Sequence, residues 1–201
     1  MKSSVNSIIE LKINRLKLGQ VFFASDFKEL GTSTAIRKSL SRLVESKQVE
    51  RMAQGIYVKP KKDKILGKIL PSMEELAESL AKKEHINIKP TGQYALNKVG
   101  LSTQVPTKLV FLSTGNTKKI KIGKSTIIFK STTAKKLAMK GQITSLLFLG
   151  LEELDLEKLS LMEITRIKEI LKLEVPETLK YNLRLAPTKV SDFVVKNLLN
   201  A

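Results

Sequence analysis

The ten residues 51–60, RMAQGIYVKP, restrict the chain to a small set of folds. Gln54 and Gly55 are a turn signal between two short runs, residues 49–52 and 56–58, which have the composition of paired strands. Pro60 follows where no ladder hydrogen bond is needed, so it ends the second strand. We therefore predict a small two-stranded hairpin, and the segment in front of it decides which fold it belongs to.

Three helical patterns precede the hairpin, and glycines separate them. The first covers residues 4–18 and ends at Gly19, a brief extended piece follows at 21–23, and a short helix then runs to Leu30 before Gly31. The third covers residues 35–47, with Ile36, Leu40, Leu43 and Val44 on one narrow face. This order predicts a winged helix-turn-helix over residues 1–65, in which the third helix enters the major groove of DNA and the hairpin is the wing.

The remaining residues, 66–201, predict a larger second domain. Helical spacing recurs over residues 73–83 and 90–98, a strand is indicated over 108–112, and alternation in KKIKIGKSTIIF predicts a hairpin over 119–129. Everything after residue 133 is predicted to be helical, with breaks near Gly141, Pro176 and Pro187. The basic segment 59–64, KPKKDK, is interpreted as the linker that leaves the wing. The predicted fold class is α+β.

The distribution of charge indicates the kind of partner. Lysine and arginine total 36 against 19 acidic residues, a net charge of +17. Residues 1–65 hold 14 basic and 6 acidic residues, residues 66–140 hold 14 and 4, and residues 141–201 hold 8 and 9. The surplus is confined to the first two segments, and a basic surplus in part of a chain is typical of a polyanion partner.

Several kinds of site are not supported by the sequence. There is no cysteine and a single histidine, His85, which is interpreted as a surface or capping residue. The glycine-rich phosphate-binding motifs are missing, and the acidic residues near position 75 have the spacing of a solvated helix face. We predict no enzyme, no metal and no cofactor. The lack of cysteine is compatible with a reducing cytoplasm. No secretory signal or membrane-spanning run is recognised.

The third helix and the hairpin carry the predicted DNA-binding residues. Arg37 and Arg42 are expected to contact bases or phosphates, with Lys38 in support, because bidentate arginine contacts to guanine are the commonest specific pairing. Hydroxyl groups at the helix start, including Ser33, Thr34 and Ser39, suit phosphates. The predicted set is Ser33, Thr34, Arg37, Lys38, Ser41, Arg42, Lys47, Arg51, Gln54 and Tyr57. Two alternatives are an ordinary solvated face and a winged helix that binds a protein.

The second basic cluster has two interpretations. Its members alternate with apolar residues in the predicted hairpin of the second domain: Lys118, Lys119, Lys121, Lys124 and Lys130. They could track a phosphate backbone, or they could protect an exposed sheet edge from pairing with another chain. We favour the second interpretation.

The chain resembles a known group of regulators in three stretches. RLVESKQVERMAQGIYVKP is similar to the N-terminal winged helix of AbiEi-type antitoxins, the regulators of type IV (abortive infection) toxin–antitoxin systems. PTGQYALNKVGLSTQVPTKLVFLSTG with KIKIGKSTIIFKST resembles the segment that follows, and YNLRLAPTKVSDFVVKNL resembles the helical tail. The resemblance covers nearly the whole chain.

The resemblance implies a bacterial, cytoplasmic repressor. Such a protein binds inverted repeats in double-stranded DNA of its own promoter and counteracts a nucleotidyltransferase-like toxin without a stable complex. One winged helix per chain implies either a weak dimer or monomers that bind paired sites cooperatively. The alternatives that stay open are an orphan regulator without a toxin, and a protein-interaction adaptor.

Overall fold

The computed structural model describes residues 4–199. The structure is mixed α+β, with small sheets and a helical C-terminal part, as predicted in these coarse terms. The described chain divides into two compact units, one of residues 4–80 with 121–123, and one formed by the remaining residues from 81 onward. The first unit extends beyond residue 65, where we predicted that the first domain ends. Compact units need not coincide with domains, so the domain boundary at residue 65 stays a prediction.

The elements of the first unit follow the predicted order. The second helix is of the 3₁₀ type, and the predicted third helix begins and ends two residues earlier than expected. The elements are α1 (Val5–Asn14), β1 (Val21–Phe23), the 3₁₀ helix (Ala24–Leu30), α2 (Ser33–Glu45), β2 (Glu50–Ala53), β3 (Ile56–Val58), β4 (Lys61–Asp63), β5 (Gly67–Ile69) and the start of α3 (Met73–Glu84).

A three-stranded antiparallel sheet closes the core of this unit. β3 lies in the middle, pairing β1 on one side and β2 on the other. The register places Phe22 opposite Tyr57, and their rings stack with centroids 5.7 Å apart. Apolar residues from α1, the 3₁₀ helix, α2 and the sheet complete the core: Ile9, Ile13, Phe22, Phe27, Ile36, Leu40, Leu43, Val49 and Tyr57. Burial of this face fixes the orientation of α2.

The interpretation of residues 59–64 as a linker is wrong. Residues 61–63 form β4, which pairs with β5 in a second small hairpin. The Asp63 carboxylate accepts hydrogen bonds from the backbone amides of Ile65 (2.8 Å) and Leu66 (2.9 Å), and these donors lower the pKa of Asp63 below its usual value. An aspartate that bonds the backbone two and three residues ahead is a turn signal, and it outweighed the charged composition.

The second unit contains most of a four-stranded sheet, followed by helices. Its elements after α3 are β6 (Ile88–Pro90), α4 (Gly92–Lys98), β7 (Lys108–Ser113), β8 (Lys118–Ile122), β9 (Ser125–Ser131), α5 (Ala134–Leu137), α6 (Thr144–Leu151), a 3₁₀ turn (Leu156–Lys158), α7 (Leu161–Lys172), α8 (Pro176–Leu185), α9 (Thr188–Val194) and a π-helical turn (Val195–Leu199). The predicted strand over 108–112, the hairpin over 119–129 and the helical tail are confirmed.

The strand order β6-β7-β9-β8 contains a feature that we did not predict. β7 and β9 are parallel, with Val110 paired to Ile128, and β6 is an additional strand antiparallel to β7. β8 therefore lies at the edge of the sheet.

Helix α6 is the centre of the second core. All eight of its residues are buried, and Gly150 lies so close to α4 that a Cβ atom there would approach Leu96 Cδ2 to 2.5 Å. A larger residue would force the two helices apart. None of the helices within residues 4–199 has the length and apolar content that crossing a membrane requires.

A buried polar network joins α8 to the start of α6. The Asn182 side chain is fully buried, accepts from the Lys140 amide (2.7 Å), and donates to the Lys140 carbonyl (2.7 Å) and to Thr144 Oγ1 (2.6 Å). Its amide is thus satisfied without water, which a buried polar group requires.

Candidate nucleic-acid interface

The start of α2 is fixed by a threonine cap. Of the three consecutive hydroxyl residues 32–34, Thr32 is the cap, and its Oγ1 accepts from the Ala35 amide (3.2 Å). Ser33 and Thr34 are left exposed in the first turn, beside free backbone N–H groups. The helix N-terminus is therefore exposed to solvent, and phosphate binding by these two residues stays a prediction.

Removal of this cap is expected to destabilise α2. Replacing Thr32 with alanine leaves a first-turn amide without its acceptor, so we expect the free energy of unfolding to fall by about 1 kcal/mol. Thr32→Ser keeps the hydroxyl and is the matched control. The free energy of unfolding of both variants is measured by urea titration, with hydrogen exchange of the α2 amides as the probe. Equal stability of the two variants would contradict the capping role.

The outward face of α2 is a continuous stripe. At spacings of three and one, its residues line a shallow, open depression: Thr34, Arg37, Lys38, Ser41, Arg42 and Glu45. This face lies opposite the core side chains of Ile36, Leu40 and Leu43. Glu45 was not in the predicted set, and its spacing of three from Arg42 is the signal that places it at the end of the stripe.

The predicted phosphate contact of Ser39 is wrong. Its side chain is 5% exposed and lies on the core side of α2, so it does not face the depression. Its spacings of three from Ile36 and of four from Leu43 predict this position, which the search for hydroxyl groups overlooked.

The basic side chains of the stripe carry uncompensated charge. Within residues 4–199, no ion pair involves Arg37, Lys38 or Arg42, and the Arg37 guanidinium donates only to the Ser33 carbonyl (3.3 Å). Lys59 of the same unit differs, because its ammonium group donates to the carbonyls of Asn14 and Leu16 at the end of α1. The stripe thus keeps its positive charges free for an external anion.

The hairpin β2–β3 adds further polar groups. Gln54 and Gly55 form a two-residue connection, in which Gly55 has a φ of +73° that suits glycine. Gln54 is exposed at this tip, Arg51 is exposed on β2, and Lys47 is exposed just after α2. No ion pair in the described part of the chain involves Lys47 or Arg51.

Tyr57 does not belong to the interface. It is 5% exposed, and its ring stacks on Phe22 in the sheet, so we assign it to the core. Alternation along β3 could not distinguish a tyrosine that faces DNA from one that faces the core, because all three residues of β3 are buried.

The lysine cluster of the second unit is in part neutralised. Lys118, on the edge strand β8, pairs with Glu84, and Lys130 pairs with Glu153 at 3.0 Å. The position of β8 at the end of the sheet supports the favoured interpretation, in which lysines protect an open edge.

The remaining candidate groups are the acidic residues, His85 and Lys89. Among residues 4–199, no group of three or more His, Asp or Glu side chains is placed to hold a metal ion. His85 is exposed at the end of α3, as expected. Burial lowers the pKa of Lys89, whose ammonium group donates to the Met139 carbonyl. That hydrogen bond gives Lys89 a structural role.

Comparison with protein families gives one match. The sequence model of a family described as "Family of unknown function (DUF6088)" matches residues 8–179. The chain belongs to the DUF6088 family. The match includes α2, the β2–β3 hairpin and most of the second unit. None of the curated proteins matches the chain. The description of DUF6088 names no activity, so the resemblance to AbiEi-type antitoxins stays a prediction.

Proposed function

We propose that the chain is a sequence-specific DNA-binding protein that represses transcription, with α2 as its recognition helix and the β2–β3 hairpin as its wing. In this proposal the first unit is a winged helix-turn-helix. What supports it is the order of the elements: a helix, a strand, a 3₁₀ helix, α2 and a hairpin, with β1 completing the sheet beside β3. A helix of 13 residues fits the major groove, which admits one α-helix.

The observation that carries the proposal is the stripe of α2. Arg37, Lys38 and Arg42 lie on one exposed face without acidic partners, while the opposite face is buried. An exposed helix with free arginines can place them on base edges and phosphates at little cost, because no internal ion pair has to be broken. Arg37 is in the first turns of the helix, which is the part that usually contacts bases.

The wing supplies contacts outside the major groove. Arg51, Gln54 and Lys47 are exposed at or near the hairpin, and we assign them to the phosphate backbone. The connection of two residues makes the wing short, so it suits the backbone beside the recognition helix better than deep insertion into a minor groove.

The antitoxin role has different support. It rests on the resemblance to AbiEi-type antitoxins, which implies repression of the chain's own operon and neutralisation of a nucleotidyltransferase-like toxin without a stable complex. Co-expression of the chain with a toxin encoded beside it tests this part directly. Growth rescue supports the role, and continued growth arrest with a soluble, expressed chain contradicts it.

Gel-shift titration tests the DNA-binding proposal. The probes are the DNA upstream of the chain's own gene and a scrambled duplex of the same composition, each at two salt concentrations. We expect tighter binding to the upstream DNA, and a loss of roughly 100-fold in affinity between about 50 and about 200 mM salt if four phosphates are contacted. Equal affinity for both duplexes would contradict sequence-specific binding.

A further inference from the structure

The outer face of α7 exposes apolar and charged residues in an ordered arrangement. Met162 on α7 is 83% exposed, and Leu173, the residue that follows the helix, is 73% exposed. Arg166 and Glu169 lie between them and form an exposed ion pair of 2.9 Å. The four residues follow at helical spacings of four, three and four, so they form one stripe, which we call the α7 stripe.

The α7 stripe is complementary to itself when a second copy runs antiparallel. Positions 162 and 173 are equally far from the midpoint between residues 167 and 168, and so are positions 166 and 169. An antiparallel copy centred on this midpoint therefore places Met162 against the partner's Leu173, and Arg166 against the partner's Glu169. A two-fold interface has this property, because each contact occurs twice with the partners exchanged.

A hollow beside the stripe provides room for the apolar contact. Its lining includes Arg166, Glu169 and Leu173 of the stripe but not Met162. The other lining residues are Lys98, Val99, Gln142, Ile143, Leu146 and Ile170. Antiparallel pairing brings the partner's Met162 to the Leu173 end, next to this hollow. A methionine is flexible enough to pack against the apolar part of this hollow, which Ile143, Leu146 and Ile170 provide, so each copy has both halves of the contact.

We propose that the α7 stripe is a homodimer interface in which two copies of the chain pair antiparallel through α7. The partner is thus a second copy of this chain. The interface is small: two 12-residue helices are each about 18 Å long, and such a pair buries less than the roughly 1,200 Å² of a stable standard interface. We therefore expect a weak dimer, with a dissociation constant of about 10–100 µM. The proposal does not depend on DNA binding and is tested without DNA.

Cysteine crosslinking tests the register. The chain has no cysteine, so Met162→Cys and Leu173→Cys each introduce a single thiol. In the antiparallel dimer, position 162 lies opposite the partner's 173, whereas the two copies of 162 are about 16 Å apart along the axis, too far for a disulfide. We expect a mixture of the two variants to form disulfide-linked dimers under mild oxidation, and each variant alone to stay largely uncrosslinked. Equal crosslinking of Met162→Cys with itself, or no crosslinking of the mixture, overturns the proposal.

Charge-exchange variants of the full chain test the proposed contact between Arg166 of one copy and Glu169 of the other. Sedimentation equilibrium over a range of concentrations measures the dissociation constant of the unmodified chain and of three variants. Arg166→Glu places like charges opposite each other, so we expect dimerisation to weaken at least 10-fold. Combining Arg166→Glu with Glu169→Arg restores opposite charges across the two-fold axis and should restore the dimer. Lys158→Glu, at an exposed site outside the stripe, makes the same charge change and should leave the dissociation constant unchanged.

The outcomes separate the dimer from a purely local ion pair. If Arg166 and Glu169 stabilise only their own helix, neither the single nor the double variant changes association. A monomer at all concentrations, or a dimer that the Arg166→Glu variant leaves intact, overturns the proposal.

Discussion

Replacement of both Arg37 and Arg42 by alanine is expected to weaken binding to the preferred DNA by about 100-fold or more, because each base contact by an arginine contributes roughly 1–3 kcal/mol. Both side chains are exposed on the α2 stripe and have no acidic partner, so the stability of the fold should change little. Binding is measured by fluorescence anisotropy on the preferred and the scrambled duplex, and circular dichroism checks the fold.

The same titration distinguishes the two roles that we assign to these arginines. Loss of a base contact lowers the ratio of affinities for the preferred and scrambled duplexes, whereas loss of a phosphate contact weakens both and reduces the salt slope by about one. The matched control is Lys180→Ala with Arg184→Ala, which removes two exposed positive charges on α8. If that control weakens binding as much as the Arg37 and Arg42 variant, the effect is one of net charge and the assignment to α2 is wrong.

Leu40→Ala is expected to destabilise the first unit by about 2–5 kcal/mol. Leu40 is fully buried in the middle of α2 and belongs to the cluster that joins α1, the 3₁₀ helix and the sheet. Truncation leaves a cavity at the base of the proposed recognition helix, so DNA binding should be lost at lower temperature than in the unmodified chain. Hydrogen exchange of the α2 amides follows this unit separately, which is necessary because a chain of two units need not unfold in one step.

Leu40→Met is the matched control for this substitution. It keeps the volume and the apolar character of the side chain, so the expected cost is below about 1.5 kcal/mol. Equal protection of the α2 amides in the alanine and methionine variants would show that Leu40 does not anchor the helix.

Local patterns were sufficient to predict most elements of the first unit. Ile36, Leu40 and Leu43 have the period of a half-buried helix, and Gln54-Gly55 is a tight-turn signal, so α2 and the β2–β3 hairpin were placed within two residues. The same periodicity identified the exposed face of α2, since polar residues at complementary positions must point away from the core. The stripe on α2 can therefore be predicted from the local sequence without knowledge of tertiary contacts.

Non-local contacts could not be predicted in the same way. The parallel pairing of β7 with β9 joins segments that are separated by β8, and β6 is only three residues long. The burial of Tyr57 depends on β1, because Phe22 covers its ring. In each case a distant strand decides the environment, and the periodicity of a short run does not contain that information.

The hairpin β4–β5 was missed for a local reason. The composition of KPKKDK is that of a solvated linker, yet the Asp63 carboxylate bonds the amides of Ile65 and Leu66 and reverses the chain. A single side chain that satisfies two backbone donors can thus outweigh the charge of its neighbours.

The most direct test of the account is to map the DNA-contacting surface by amide NMR while the preferred duplex is added. The proposal predicts that the largest chemical-shift changes fall on the first half of α2, especially around Thr34, Arg37 and Lys38, with smaller changes around Arg51 and Gln54. Changes concentrated on the β8–β9 lysines, with α2 unaffected, would contradict the assignment of α2 as the recognition helix.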